Sequence, residues 1–223
     1  MTIASFTAPE TSEEPRPSGG NAKRIGILGG TFDPPHVGHL WLATLAVDAM
    51  SLDRVLFMPA AQPPHKRRKG MTRATDRLLM TRLAIAGDEA FGLTLIEMER
   101  PGPSYTIDSV DELQRLYGSD GTLYLLMAAD SLAEIETWRE PDALLERIEW
   151  VVGPRPGSPI PDRSELDERF GANASRIHLL EGPSLDVSSS EIRRRVAARR
   201  AIRYLVPRGV EELIGQRGLY RRG

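Results

Sequence analysis

The amino-acid sequence predicts an α/β fold in which helices cover both faces of a parallel β-sheet. Short apolar runs, typical of strands buried on both faces of a sheet, alternate along the chain with segments of helical periodicity. The helical segments are roughly 10–15 residues long, which is the length of the crossover helices in βαβ units. The chain has 223 residues, 40% of them hydrophobic and 27% charged, which suits one soluble domain with a sizeable core.

The first half of the chain begins this alternation. Lys23–Gly30 is an apolar run closed by two glycines, which predicts a buried strand that enters a tight turn. Val37–Met50 has few turn-forming residues and carries apolar side chains at helical spacing, so we predict a helix. The same criteria predict a strand at 54–58, a proline-rich basic loop at 59–70, a helix at 72–86, a strand at 93–97 and a helix at Thr106–Tyr117.

The second half continues the pattern with strands at 122–127, Glu149–Gly153 and 176–180, and with helices at 189–200 and 207–216. We expect residues 23–223 to form a single domain with a small helical C-terminal portion. Residues 1–22 are rich in Pro, Glu, Ser and Gly, which predicts a disordered N-terminal tail. This tail lacks the basic start and apolar stretch of a signal peptide, and no window is apolar enough to span a membrane, so we expect a cytoplasmic protein.

The composition excludes several classes of function. The chain contains no cysteine, which excludes disulfide scaffolds, cysteine-ligated metal sites and thiol catalysis. A net charge of -2 argues against nucleic acid and against a membrane surface as partners. The charge is uneven, however, because residues 186–223 hold 10 Lys and Arg against 4 Asp and Glu. The sequence does not specify an oligomeric state.

The segment GGTFDPPHVGH, between the first predicted strand and the first predicted helix, is suited to binding phosphate. Gly29 and Gly30 let a ligand approach the backbone, and Thr31 offers a hydroxyl. His36 and His39 are three residues apart, so both imidazoles face the side of the helix start that carries its free N–H groups and positive dipole end. Both can donate hydrogen bonds to a polyphosphate whose charge rises during a reaction, and do so more strongly when charged.

Three other interpretations of this loop compete with phosphate binding. The chain contains neither GxxxxGK[ST] nor GxGxxG, which disfavours a P-loop ATPase and a dinucleotide-reading loop. The histidine pair could bind a metal, although no cysteine and only His65 and His178 are available as further ligands of these types. An ordinary strand–helix corner with incidental histidines is the third alternative, and the coincidence of glycines, prolines and facing histidines argues against it.

Two basic segments are candidates for contacts to the same anion. In VSSSEIRRR, Ser188 and Glu191 have the spacing of a capping box, which predicts a helix start facing an anion with Arg193 one turn in. In QPPHKRRK, His65 and four cations follow the second predicted strand. Either segment could also be a solvated basic surface, which is our interpretation of residues 67–69.

These motifs resemble those of the nucleotidylyltransferase superfamily. Residues 29–39 are similar to its (H/T)xGH signature, in the form found in bacterial nicotinate mononucleotide adenylyltransferases, and residues 187–195 resemble its ISSTxIR element. The resemblance runs in order over residues 23–221 and implies a Rossmann-like fold of the nucleotidylyltransferase type. It implies that His36, His39 and Arg193 are catalytic. The implied ATP-binding residues are Gly29, Gly30, Thr31, Phe32, His36, His39, Ser189, Ser190 and Arg193.

The same resemblance implies a site for nicotinate mononucleotide. The PSYT segment implies that backbone near Tyr105 and Thr106 receives the pyridine carboxylate. The family's D…W spacing implies that Asp130 accepts from ribose hydroxyls and that Trp138 stacks on the pyridine. Contacts to the mononucleotide phosphate are implied for His65, Lys66 and Arg155.

Simpler roles are open for several of these residues, and two positions depart from the family. The PSYT segment could be only a capped helix start, Trp138 a core anchor and Arg155 a surface arginine. Ala128 stands where the family usually has Gly, and Arg139 stands where some members have Tyr. A Cβ at Ala128 would leave a ligand less room to approach the backbone. With Arg139 in place of Tyr, the site lacks a second aromatic ring to pack against the pyridine.

The implied reaction is ATP plus nicotinate mononucleotide giving nicotinate adenine dinucleotide and pyrophosphate. The resemblance and the reaction class also imply Mg²⁺, bound mainly by phosphates and water rather than by a protein metal site. An adenylyltransferase for nicotinamide mononucleotide or another phosphorylated acceptor is the nearest alternative. A nucleotide-binding sensor without turnover is the alternative from a different class.

Overall fold

A six-stranded, fully parallel β-sheet forms the centre of the fold in the part of the chain that the structure describes. The structure is a computed structural model that describes residues 23–63, 70–118 and 121–221. The predicted disordered tail, residues 1–22, lies outside the described residues, and so do His65 and Lys66. Among the described helices, none is both long enough and apolar enough to cross a membrane.

The strand order creates the crevice that holds the site. The strands are β1 (Lys23–Gly30), β2 (Arg54–Pro59), β3 (Phe91–Leu93), β4 (Gly121–Ala128), β5 (Glu149–Gly153) and β6 (Ile177–Leu179). Across the sheet they run β3-β2-β1-β4-β5-β6. The chain builds outward from β1, returns to the centre and continues outward on the other side. In such sheets ligands bind outside the carboxyl ends of the strands, where the order reverses, here between β1 and β4.

Helices cover both faces of the sheet, as predicted. They are α1 (Val37–Met50), α2 (Ala74–Ile85), α3 (Ile96–Glu99), α4 (Thr106–Tyr117), α5 (Ala129–Ala133), α6 (Pro141–Arg147), α7 (Arg163–Phe170), α8 (Ser189–Ala197) and α9 (Arg208–Arg217). Ala43 and Ala46 of α1 pack on one face of the sheet, against Phe57. Leu113 of α4 and Leu144 of α6 pack on the other face. The sheet is therefore buried on both sides, which explains the continuous apolar runs of its strands.

The C-terminal helices form a small core of their own beside the sheet. Ile192 of α8 and Val210 and Ile214 of α9 are buried together with Met80 of α2. This packing brings the start of α8 next to the loop that follows β1, although the two segments are about 155 residues apart, as the bond between Ser189 and Pro34 shows.

Two predictions of secondary structure need correction, and several short helices are additions. The strand predicted at 93–97 is wrong: β3 pairs with β2 only as far as Leu93, and Ile96 and Glu97 belong to the short helix α3, where both are buried. The helix predicted at 189–200 ends at Ala197, because Arg199 adopts a φ of 54°, which an α-helix cannot continue through. Helices α5, α6 and α7 were not predicted.

Candidate active site

A cavity of about 790 Å³ opens at the carboxyl ends of β1 and β4, which is an ordinary size for a small-molecule site. Every predicted site residue that the structure describes lines this cavity. These residues are Gly29, Gly30, Thr31, Phe32, His36, His39, Tyr105, Thr106, Asp130, Trp138, Arg155, Ser189, Ser190 and Arg193. The fold thus brings the separate motifs to one place, while His65 and Lys66 lie outside the described residues.

The two histidines form a stacked pair at the start of α1. Their ring centroids are 3.8 Å apart, and the rings are inclined by only 28°. Phe32 is buried beneath them and meets the His39 ring edge-on at 5.0 Å. Gly30 makes room for Phe32, because a Cβ at Gly30 would lie 3.0 Å from the phenyl ring. Gly38 does the same for His36, since its Cβ would lie 3.1 Å from the imidazole.

Hydrogen bonding fixes which nitrogen of His39 can donate. The backbone N–H of His36 donates to Nδ1 of His39 at 3.2 Å, so that nitrogen is an acceptor and the proton resides on Nε2. Nδ1 of His36 is buried and has no hydrogen-bond partner within the described residues. Burial, with a smaller effect of the Arg155 guanidinium, lowers the pKa of His36 to about 4, so this imidazole is neutral near pH 7. His36 therefore acts as a neutral hydrogen-bonding group rather than as a cation.

Buried polar contacts from distant segments support the loop that carries the histidines. The hydroxyl of Tyr220, just after α9, donates to Oδ1 of Asp33 at 2.7 Å, and Asp33 is only 2% exposed. Arg77 of α2 is 1% exposed, and its guanidinium approaches this pair closely enough to interact with Asp33 electrostatically. That guanidinium donates to the backbone carbonyls of Thr31, Thr72, Ala60 and Ala61. These contacts hold the loop to α2 and to the C-terminal segment.

The start of α8 docks directly onto the same loop. Ser188 caps the helix by accepting from the Glu191 N–H at 3.2 Å, as the sequence predicts, while the Glu191 carboxylate accepts from Arg194 instead of closing a capping box. The Ser189 hydroxyl donates to the Pro34 carbonyl at 2.8 Å. Arg193 donates to the Asp33 carbonyl at 2.5 Å and to the Ser190 hydroxyl at 2.8 Å. Two helix starts, of α1 and α8, therefore face one space.

The opposite end of the cavity has an aromatic platform and a third helix start. Tyr105 is the residue before α4, and no side chain within the described residues caps this helix, so its first N–H groups stay available to a ligand. Ser104, which could have been the cap, instead accepts at 3.2 Å from the Gln62 N–H of the loop after β2. Trp138 both lines the cavity and packs on the core, 6.3 Å from the buried Trp150 ring. Trp138 therefore packs against the core and also exposes part of its ring to the cavity.

Asp130 and Arg155 face each other across the middle of the cavity. Their carboxylate oxygen and guanidinium Nε are 3.6 Å apart. Arg155 also donates to the Val187 carbonyl at 3.1 Å, which connects the loop after β5 to the segment before α8. Arg155 is thus held in place at the cavity wall rather than extended into solvent.

Among the lining residues that the sequence analysis does not predict, two have notable polar contacts. Trp41 of α1 lines the cavity, and its indole N–H donates to the Pro183 carbonyl at 2.7 Å. Glu97 is buried against the cavity, accepts from the Ser109 hydroxyl at 2.7 Å, and has a pKa raised by burial. Trp41 lies two residues beyond the histidine motif and could have been noted from that position, whereas no local pattern indicates Glu97.

The described residues contain no group of three or more His, Cys, Asp or Glu side chains placed to bind a metal ion. His36 and His39 are stacked on one another, and Nδ1 of His39 is occupied by a backbone N–H. This arrangement does not resemble a two-histidine metal site, whose ring nitrogens converge on one point. The cavity is better suited to hydrogen bonding with anions.

Comparisons with known proteins agree with this geometry. Residues 27–195 match the cytidylyltransferase-like family. The chain is 45% identical over 198 residues to a protein of Thermomicrobium roseum, an alignment that covers 89% of this chain and 92% of that relative. It is 47% identical over 198 residues to a protein of Roseiflexus sp., with 88% of this chain and 98% of the relative covered. Both relatives bear the name "Probable nicotinate-nucleotide adenylyltransferase".

Among solved structures, the fold is similar to that of Plasmodium falciparum nicotinic acid mononucleotide adenylyltransferase complexed with NaAD. The TM-score is 0.74, and the match covers 89% of this chain and 97% of that chain. The sequences are 21% identical, so this likeness concerns the fold.

Proposed function

The chain belongs to the cytidylyltransferase-like family, and we infer that it is a nicotinate-nucleotide adenylyltransferase. It transfers the adenylyl group of ATP to nicotinate mononucleotide and releases pyrophosphate. The observation that carries this function is the meeting of two helix starts, one with the stacked His36–His39 pair and the other with Ser189 and Arg193, over a single crevice. The name shared by the relatives at 45% and 47% identity supports the same activity.

We propose a direct displacement that uses no covalent enzyme intermediate. An oxygen of the 5′-phosphate of nicotinate mononucleotide attacks the α-phosphorus of ATP, and the bond between that phosphorus and the α,β-bridging oxygen breaks. The electron pair leaves with pyrophosphate. The attacking phosphate is already anionic near pH 7, so the step needs no general base, and the enzyme contributes positioning and charge stabilisation.

His39 and His36 would act on the α-phosphate. Nδ1 of His39 accepts from the His36 backbone N–H, so Nε2 carries the proton and would donate to a phosphate oxygen. His36 is neutral near pH 7, so it contributes a hydrogen bond without a full charge. The positive end of the α1 dipole would further stabilise the α-phosphate, because negative charge is favoured at a helix start.

The residues at the start of α8 would hold the leaving pyrophosphate. Arg193 donates to the Asp33 carbonyl and the Ser190 hydroxyl, and its planar guanidinium has the geometry from which a phosphate accepts paired hydrogen bonds. Ser189 and Ser190 place hydroxyls beside it, and Gly29, Gly30, Thr31 and Phe32 form the opposite wall.

The other end of the cavity would take nicotinate mononucleotide. The uncapped N–H groups of α4 near Tyr105 and Thr106 suit a carboxylate, and Trp138 offers a flat face for the pyridine. Asp130 would accept from ribose hydroxyls, and Arg155 would bind the mononucleotide phosphate. His65 and Lys66 are proposed from the sequence to contact the same phosphate.

We also propose that Mg²⁺ arrives with ATP rather than in a protein site. Such an ion neutralises phosphate charge and makes pyrophosphate a better leaving group. The chemistry of the lining residues fits this arrangement, because they supply mostly hydrogen-bond donors to the phosphates, and the described residues hold no carboxylate or histidine cluster for the ion itself.

The function is tested by measuring pyrophosphate release with ATP, Mg²⁺ and nicotinate mononucleotide. We expect pyrophosphate release to require both substrates and to equal the amount of dinucleotide formed. If micromolar enzyme releases no pyrophosphate while it still binds ATP, the chain is a nucleotide sensor and not an enzyme. If release is faster with nicotinamide mononucleotide at equal concentration, the acceptor proposed here is wrong.

A further inference from the structure

Among the described residues, three arginines line the cavity: Arg139, Arg155 and Arg193. The two proposed substrates bring three anionic groups, namely the triphosphate, the 5′-phosphate and the pyridine carboxylate. Arg193 lies beside the start of α8, and Arg155 lies in the middle of the cavity next to Asp130. Only Arg139 lies at the end of the cavity that is lined by Tyr105, Thr106 and Trp138.

The surroundings of Arg139 fix its guanidinium over this end of the cavity. The guanidinium carbon lies 4.9 Å from the centroid of the Tyr105 ring, in cation–π geometry. Its NH1 is 3.8 Å from an oxygen of Asp108, and its Nε is 3.5 Å from an oxygen of Glu140. Both separations exceed the roughly 2.7–2.9 Å of a charge-assisted hydrogen bond, so these carboxylates attract the guanidinium without occupying its N–H groups.

We propose that Arg139 is a specificity residue that pairs with the carboxylate of the pyridine substrate and favours the acid over the amide. This inference rests on the proposed function, because it concerns the acceptor of the same reaction. The uncapped N–H groups of α4 bind either a carboxylate or an amide oxygen, so they discriminate weakly by themselves. A guanidinium at 50% side-chain exposure, held on the Tyr105 ring, adds a full positive charge that only the acid can use.

The charges of the two substrates make the effect selective. Both mononucleotides carry a positively charged pyridinium ring, which Arg139 repels equally. Only nicotinate adds a negative carboxylate. Because the side chain is half exposed, solvent screens the attraction, and we expect about a fivefold contribution to the acid-to-amide ratio of kcat/KM, as for an exposed ion pair.

A substitution at Asp108 should change the acid-to-amide ratio of kcat/KM in the opposite direction. Its carboxylate draws the Arg139 guanidinium toward itself and would compete with the substrate carboxylate for it. The Asp108→Asn substitution keeps the shape of this side chain and removes its charge. It should therefore raise the acid-to-amide ratio, whereas Arg139→Gln should lower it.

The experiment measures kcat/KM for nicotinate and nicotinamide mononucleotide, with the KM of ATP, for wild type, Arg139→Gln, Arg139→Lys and Asp108→Asn. Arg115→Gln is the matched control, because Arg115 is an exposed arginine of α4 that does not line the cavity. We expect the ratio to fall about fivefold in Arg139→Gln, to be largely retained in Arg139→Lys and to rise in Asp108→Asn. The fall in Arg139→Gln should shrink at about 1 M salt, where charge attraction is screened.

Three results would overturn the inference. One is an unchanged ratio in Arg139→Gln in an enzyme that turns over nicotinate mononucleotide. Another is an equal loss on both acceptors, since that would indicate a structural role. The third is wild-type protein that uses neither mononucleotide, in which case the proposed function fails first and the inference falls with it.

Discussion

The bond between Tyr220 and Asp33 gives a quantitative test of how the C-terminal segment supports the active-site loop. Tyr220→Phe removes only a hydroxyl, which donates to Asp33 at 2.7 Å. Burial and the adjacent Asp33 carboxylate both raise the pKa of Tyr220, so the hydroxyl keeps its proton and donates throughout the working pH range. After the substitution, the buried Asp33 keeps its carboxylate but loses this donor.

The expected cost follows from the burial of Asp33, which is 2% exposed. A hydrogen bond to a charged group contributes about 1.5–3 kcal/mol, so we expect the free energy of unfolding to fall by about 2 kcal/mol. For a chain of this size the corresponding drop in Tm is about 4–8 °C. Asp33 belongs to the loop that positions His36, so we also expect kcat/KM to fall about tenfold, an amount that about 1.4 kcal/mol of lost positioning would cause.

Urea unfolding, thermal unfolding and pyrophosphate release would measure these effects. Tyr204→Phe is the control, because Tyr204 is 85% exposed and lies on the same C-terminal portion. The reasoning is refuted if Tyr220→Phe matches Tyr204→Phe in stability and in kcat/KM. A loss of stability with unchanged kcat/KM would show that the bond holds the C-terminal segment but does not position the loop.

Further substitutions test the histidine pair and the buried arginine. His39→Ala should lower kcat by about a hundredfold or more, since it removes a donor to the transition state, and unchanged turnover would exclude His39 from the reaction. The pKa of His36 is about 4 in the folded protein and about 6.5 when unfolded, so the unfolded state binds more protons between these values. The free energy of unfolding should therefore fall by about 3 kcal/mol between pH 7 and pH 4 through this residue, and a pH series that falls equally in wild type and His36→Asn would contradict it. Arg77→Met leaves the carbonyls of several loop residues without their buried donor and should cost at least about 3 kcal/mol in urea unfolding; a cost below about 1 kcal/mol would show that water replaces the guanidinium.

The strands and the phosphate loops could be predicted from the sequence because their signals are local. The apolar run of Lys23–Gly30 ends where its two glycines predict, and Val37–Met50 is helical over the predicted range. Gly30 also has a structural role that the sequence does not reveal. Its missing side chain makes room for the Phe32 ring, a contact that depends on the positive φ of Phe32, 48°, and not on any pattern in the sequence.

The supporting polar residues could not be predicted, because tertiary packing decides their burial. No local pattern indicates that Arg77 is buried, yet its guanidinium reaches backbone carbonyls that only the folded loops bring together. Glu97 is buried for the same kind of reason, through Ser109 of the following helix. Helix α7 is different: Asp162 and Glu165 form a capping box whose spacing is visible in the sequence, although Leu166 is its only buried residue and leaves no apolar stripe to detect.

The position of the label after reaction with labelled ATP tests adenylyl transfer most directly. Wild-type enzyme is incubated with Mg²⁺, nicotinate mononucleotide and ATP labelled on either the α- or the γ-phosphate. We expect the α label in nicotinate adenine dinucleotide and the γ label in pyrophosphate, in equal amounts, with both products formed about a hundredfold or more slowly in His39→Ala. Label from the γ-phosphate in the acceptor, or release of inorganic phosphate in place of pyrophosphate, would contradict attack at the α-phosphorus and with it the proposed function.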